Sequence, residues 1–161
     1  MEPVDGEPKE LAVGYLPVSG ETRRLGRRIV PARPEEVAPT RHWLTQLLAA
    51  DHAKIVDDVV LLACEAVTNA IRHSDSAKIG GTVTVAVMEL AGMIRVEVTD
   101  AGSATNVPRL KNDDPEALNG RGLHLLDFVS GGCWGSCTDG GDRTVWFEIA
   151  VDERATPLGE P

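Results

Sequence analysis

Two segments of this chain alternate between apolar and polar residues and are separated by a short turn. Thr82 to Met88 reads Thr-Val-Thr-Val-Ala-Val-Met and Met93 to Thr99 reads Met-Ile-Arg-Val-Glu-Val-Thr, with Glu89 to Gly92 between them. A side-chain period of two marks a strand with one face toward a core and the other toward water. So short a connection requires the two strands to run antiparallel. A sheet with one wet face disfavours fully covered parallel architectures and calls for helices on one side only.

The rest of the chain supplies that helical layer. Val56, Val59, Val60, Ala63, Val67, Ala70 and Ile71 form a broad apolar stripe, which predicts a helix from about Ala53 to His73. Upstream, Arg33-Pro34-Glu35-Glu36 opens another helix, with proline and acids in the first turn where each is favoured. Val37, Trp43, Leu44, Leu47 and Leu48 fit its buried face, and Ala49 to His52 breaks it. Arg27 to Val30 predicts a short strand closing at Pro31, and Leu11 to Leu16 is weakly strand-like. After the alternating pair, the polar stretch from Ala101 to Gly120 reads as a functional lid, because a loop of that length is long for a plain connector. Leu123 to Val129 predicts a short helix. Cys133 to Thr138 and Arg143 to Ala150 form a second hairpin about Asp139-Gly140-Gly141. The order predicts an α/β (α+β) two-layer sandwich: a mixed, mostly antiparallel sheet with helices on one face. One domain is expected over residues 21–151, between flexible segments at 1–20 and 152–161.

Composition narrows the function. The formal net charge of -9 argues against a nucleic-acid surface, which needs a basic patch. The local cluster Arg23, Arg24, Arg27 and Arg28 reads as a solvated strand edge or loop ahead of a partner patch. Three cysteines, an odd number, read as reduced thiols in a cytoplasmic protein. No basic segment precedes an apolar stretch, and the longest apolar run, Val59 to Cys64, is far too short to span a membrane. Cys133 and Cys137 share a strand face, but two thiols are too few for a zinc site.

Four motifs carry chemistry. Glu65, Asn69 and His73 lie four apart on the long helix and so share one face. An amide oxygen at Asn69 suits Mg²⁺, which takes hard oxygen ligands, and a carboxylate at Glu65 can accept a proton from an attacking hydroxyl. From that spacing alone, a plain helix with Glu65 in solvent and Asn69 bonded locally is the better reading. Asp100-Ala101-Gly102 stands at a strand end, where a carboxylate can accept a hydrogen bond from an exocyclic amine and a glycine lets a flat ring approach. An ordinary Asp-Gly type turn is the competing reading. Asn119-Gly120-Arg121-Gly122-Leu123 enters a helix and can offer backbone N–H groups to phosphate, although it matches neither a P-loop nor a dinucleotide fingerprint. Gly141-Asp142-Arg143-Thr144 precedes the last strand, placing a hydroxyl where it could reach a purine edge.

Taken together, in this order and these contexts, the motifs resemble the Bergerat-type ATP-binding fold shared by DNA gyrase, Hsp90 and sensor histidine kinases. The chain looks closest to the small anti-sigma-factor serine/threonine kinases, the switch-protein kinase family of Gram-positive bacteria. Glu65 to Ala70 matches that family's N box, Asp100-Ala101-Gly102 its first glycine box, Gly120-Arg121-Gly122-Leu123 its second, and Gly141 to Thr144 its closing segment. The resemblance covers about Arg24 to Ala150. It implies ATP and Mg²⁺ as cofactors, with Asn69 on the metal and Glu65 as general base toward a partner's serine or threonine. It further implies Asp100 on the adenine amine with Thr144 assisting, and Gly102 near the base. Gly120, Arg121, Gly122 and Leu123 would lie around the phosphates, and His73 beside the nucleotide or as a plain helix-end cap. The implied partners are a sigma factor, which the protein would inhibit, its anti-anti-sigma antagonist as phosphorylation substrate, and a second copy in a homodimer.

One departure stands out. The first glycine box of that family runs Asp-x-Gly-x-Gly, whereas this chain has Asp100-Ala101-Gly102-Ser103-Ala104. Alanine at 104 gives up easy access to left-handed backbone angles. This keeps open a second expectation: a regulatory ATP-binding module, catalytically weak or inactive, that acts by protein sequestration.

Overall fold

The computed structural model describes residues 21–73, 80–101 and 125–152. The expected strand at Leu11 to Leu16, the segments 1–20 and 153–161, and the stretch 102–124 lie outside the described residues. The element order is β1 (Thr22–Pro31), a 3₁₀ turn (Pro34–Glu36), α1 (Val37–Leu48), α2 (Val56–His73), β2 (Thr82–Leu90) and β3 (Met93–Asp100). A helical segment at 125–130, here α3, precedes β4 (Trp134–Asp139) and β5 (Asp142–Ala150).

The five strands form one sheet in the order β1-β2-β3-β5-β4. All four pairings are antiparallel. The alternating segments form the expected hairpin, with Leu90 opposite Met93. Its two-residue turn puts Ala91 at φ 44° and Gly92 at φ 79°. Positive φ at both positions is what a turn matching the strand twist requires. The second hairpin closes at Asp139 opposite Asp142 over Gly140 and Gly141, both again at positive φ.

The apolar residues assemble one core beneath the helices. Val59, Leu62, Ala63 and Val67 of α2, with Leu44 and Leu48 of α1, are fully buried. They meet Val83, Val85 and Val87 of β2, Ile94, Val96 and Val98 of β3, and Phe147 of β5, with Leu126 of α3 joining the same cluster. α2 lies over β2 and β3, and α1 packs on α2 and β1. The expected two-layer arrangement with helices on one face is therefore the one observed.

Three expectations change on inspection. β1 runs from Thr22, longer than Arg27 to Val30, and carries the arginine cluster along an edge of the sheet. A register shift between Arg24 and Gly26 places Leu25 in a bulge. α2 starts at Val56 rather than Ala53, because the carbonyl of His52 accepts from the N–H groups of Ile55 and Val56 in a tight turn first. The second face of the sheet is not wet throughout: Arg95, Met93 and Glu148 are 2%, 0% and 3% exposed there. Arg95 donates to Glu97 and Glu148, each at 2.9 Å, and lies 4.2 Å from the ring centroid of Trp146. Mutual pairing and ring stacking satisfy a charge that the sequence pattern would leave in solvent.

Candidate functional site

The long helix and the ends of two neighbouring strands position the candidate residues. Along α2, Leu61, Glu65 and Asn69 form one column at four-residue spacing, and His73 ends the helix. Ala66, Val67, Ala70 and Ile71 anchor the adjacent stripe in the core. Leu61 is 43% exposed, whereas Glu65 and Asn69 are half-buried, so the column runs along the border between core and surface. A carboxylate and a carboxamide on that border are fixed by the helix yet can reach a ligand. Thr68 is engaged locally, donating its hydroxyl to the carbonyl of Cys64 at 2.8 Å. Burial pushes the Cys64 thiol up from its ordinary value of 9.0, and Arg41 of α1 partly opposes this. The thiol next to Glu65 is thus a protonated packing group at neutral pH, not a nucleophile.

Asp100 is the last residue of β3 and is 3% exposed. Its parity along the strand matches Ile94, Val96 and Val98, so it lies on the face that the helices cover. Its cross-strand partner is Arg143, the second residue of β5. The Arg143 guanidinium donates from Nη2 to Asp100 Oδ2 at 3.2 Å, and Arg143 is 7% exposed. The pair sits at the end of the sheet from which the chain leaves β3 toward residues 102–124.

Thr144 is not brought to Asp100. It lies opposite Thr99, and the two hydroxyls share a hydrogen bond at 2.8 Å on the other face of the sheet. A shift of one residue along a strand reverses the side on which a side chain stands. Arg143, missed in reading the sequence, takes the place beside Asp100. The signal was present in the parity of the last strand: with Val145 and Phe147 directed into the core, position 143 belongs to the same face. Glu65 and Asn69 share the expected helix face, while Gly102, Gly120, Arg121, Gly122 and Leu123 lie outside the described residues, as does the side chain of His73.

Among the described residues no three His, Cys, Asp or Glu side chains cluster as a metal-binding group. The donor chemistry nevertheless fits Mg²⁺, which keeps several waters and needs few protein oxygens when phosphates supply the rest. Asn69, half-buried on its helix border, offers such an oxygen. No helix among the described residues is long and apolar enough to cross a membrane.

A family model described as a histidine kinase-like ATPase domain matches residues 30–141. No curated protein matches the chain at a significant level. The family match spans well over half of the sequence and runs from β1 through α2 and Asp100 to the β4–β5 turn, stopping just short of Arg143. The chain belongs to the histidine kinase-like ATPase domain family, and ATP is the nucleotide this membership implies.

Proposed function

We propose that this member of the histidine kinase-like ATPase family is an ATP-dependent protein serine/threonine kinase that binds and inhibits a sigma factor and phosphorylates that factor's anti-anti-sigma antagonist. The observation that carries the nucleotide site is the placement of Glu65 and Asn69 on one half-buried column of α2, over the sheet face that ends in Asp100. The sequence resemblance carries the finer reading of partner and acceptor.

Each residue then has a task its chemistry allows. Asp100 accepts a hydrogen bond from the adenine amine. Backbone N–H groups at Gly120 and Gly122 bind phosphate oxygens. Asn69 would hold Mg²⁺, which supplies charge neutralisation across the phosphates. Glu65 takes the proton of the partner's serine or threonine hydroxyl as that oxygen bonds to the γ-phosphorus. The bond from the γ-phosphorus to the bridging oxygen breaks, and ADP leaves. The new phosphate adds roughly two negative charges to the antagonist and weakens its contact with the kinase. We place this activity in the cytoplasm, with the kinase as a homodimer.

The test is to incubate purified protein with γ-labelled ATP, Mg²⁺ and candidate antagonist proteins, beside Glu65→Gln and Asn69→Ala. Label on a serine or threonine of one candidate, lost in both variants, is the expected result. ATP binding without label on any candidate would replace the kinase by the sequestering module that Ala104 leaves open.

A further inference from the structure

Asp100 and Arg143 form a buried ion pair where a surface turn would have sufficed. Fastening β3 to β5 does not explain it. Those strands already pair along eight positions, from Met93 opposite Ala150 to Asp100 opposite Arg143. A buried ion pair is also no better a fastener than two apolar residues of similar volume, because both charges must be stripped of water. Position 143 is held in place between two partners, two residues after the tight Gly140–Gly141 turn: it is the last pair of the β3–β5 ladder and is also paired with Thr138 of β4. The arginine therefore meets the carboxylate from a fixed direction.

We propose that Arg143 is a positioning residue that sets purine specificity at this site: by its contact with Asp100 it orients that carboxylate and keeps it an acceptor only, so the site takes 6-amino purine nucleotides and rejects 6-oxo ones. This rests on the reading of Asp100 as the residue that meets the base. An arginine stays charged at every working pH, and a carboxylate bonded to it accepts hydrogen bonds without donating them. A carboxylate accepts about four hydrogen bonds, so one from Arg143 and one from a ligand amine are compatible. Adenine presents an amine at carbon 6 and pairs with such an oxygen. Hypoxanthine presents a carbonyl there, and two acceptors face each other with no proton between them. Without the cation, burial favours the neutral acid, whose O–H donates to a carbonyl as well as it accepts from an amine. The discrimination would then fall.

The experiment is to titrate wild type, Arg143→Met, Arg143→Gln and Arg143→Lys with ATP and with inosine triphosphate, and to check each variant's fold by circular dichroism. Wild type should prefer ATP by about 100-fold or more, as sites built to pair a polar group reject its mismatch. Arg143→Met and Arg143→Gln should each lower that ratio by about tenfold or more, and Arg143→Lys should stay within about threefold of wild type. The ratio is the readout, since a merely structural loss would weaken both nucleotides alike. If either neutral variant that folds keeps the wild-type ratio, the assignment of Arg143 is overturned while the site reading stands. Wild type that binds neither nucleotide overturns both.

Discussion

The strand β3 faces two surroundings that are built from different chemistry. Toward the helices it presents Ile94, Val96 and Val98, all nearly fully buried and packed with Val85, Val87 and Phe147. Toward the other side it presents Arg95, equally buried, held by Glu97 and Glu148 and covered by Trp146. The first surface is stabilised by removing apolar area from water, the second by matching charges that have already lost their water. Apolar packing tolerates losses in proportion to volume. A charge network fails when one member is removed, since the remainder is left buried and uncompensated. The candidate site lies where the covered face changes from the first chemistry to the second: two residues beyond Val98 stands Asp100, with Arg143 opposite.

The largest expected effects come from breaking each surface once. Phe147→Ala should cost about 3–5 kcal/mol, and Arg95→Ala a similar amount for the different reason that Glu148 loses its cation. Urea unfolding measures both. The double change Arg95→Met with Glu148→Leu should recover to within about 1 kcal/mol of wild type or exceed it, as apolar replacements of buried ion pairs do. No second substitution at a charged neighbour would rescue Phe147→Ala in this way. Gly135→Ala comes next. A Cβ there would stand 2.7 Å from the Trp146 ring, so the contact must open at a cost of about 1–3 kcal/mol, and the expected movement is of the ring away from its place over Arg95. Near-ultraviolet circular dichroism reports that displacement. The smallest effect leaves stability untouched. At pH 8 an alkylating reagent should label half-buried Cys137 before Cys64, whose thiol is held protonated above the ordinary 9.0, and Cys64 labelling should still be rising past that pH.

The difference between the two surfaces also explains what could be read from the amino-acid sequence. Apolar periodicity and turn residues are local signals: the first located α1, α2 and the first hairpin, and the Asp139-Gly140-Gly141 turn located the second. The length of β1 was hidden because Arg23 and Arg24 carry no apolar alternation, and pairing with β2 alone extends the strand back to Thr22. The burial of Arg95 was hidden because its partner Glu148 lies 53 positions away and only the sheet order makes them neighbours. In the candidate site, the helical column of Glu65 and Asn69 was legible from spacing. Asp100 was legible from its place at a strand end. The choice between Arg143 and Thr144 as its companion depended on the register of β5 against β3, which no motif states.

The central claim is that the covered face ends in a nucleotide site whose base contact is Asp100. Isothermal titration of Mg²⁺-ATP into wild type and Asp100→Asn tests it most directly. The account predicts binding by wild type and about tenfold or more weaker binding by a folded Asp100→Asn, the consequence of removing a charged hydrogen-bond acceptor. Equal affinity in the two proteins, or no binding by wild type, would contradict it.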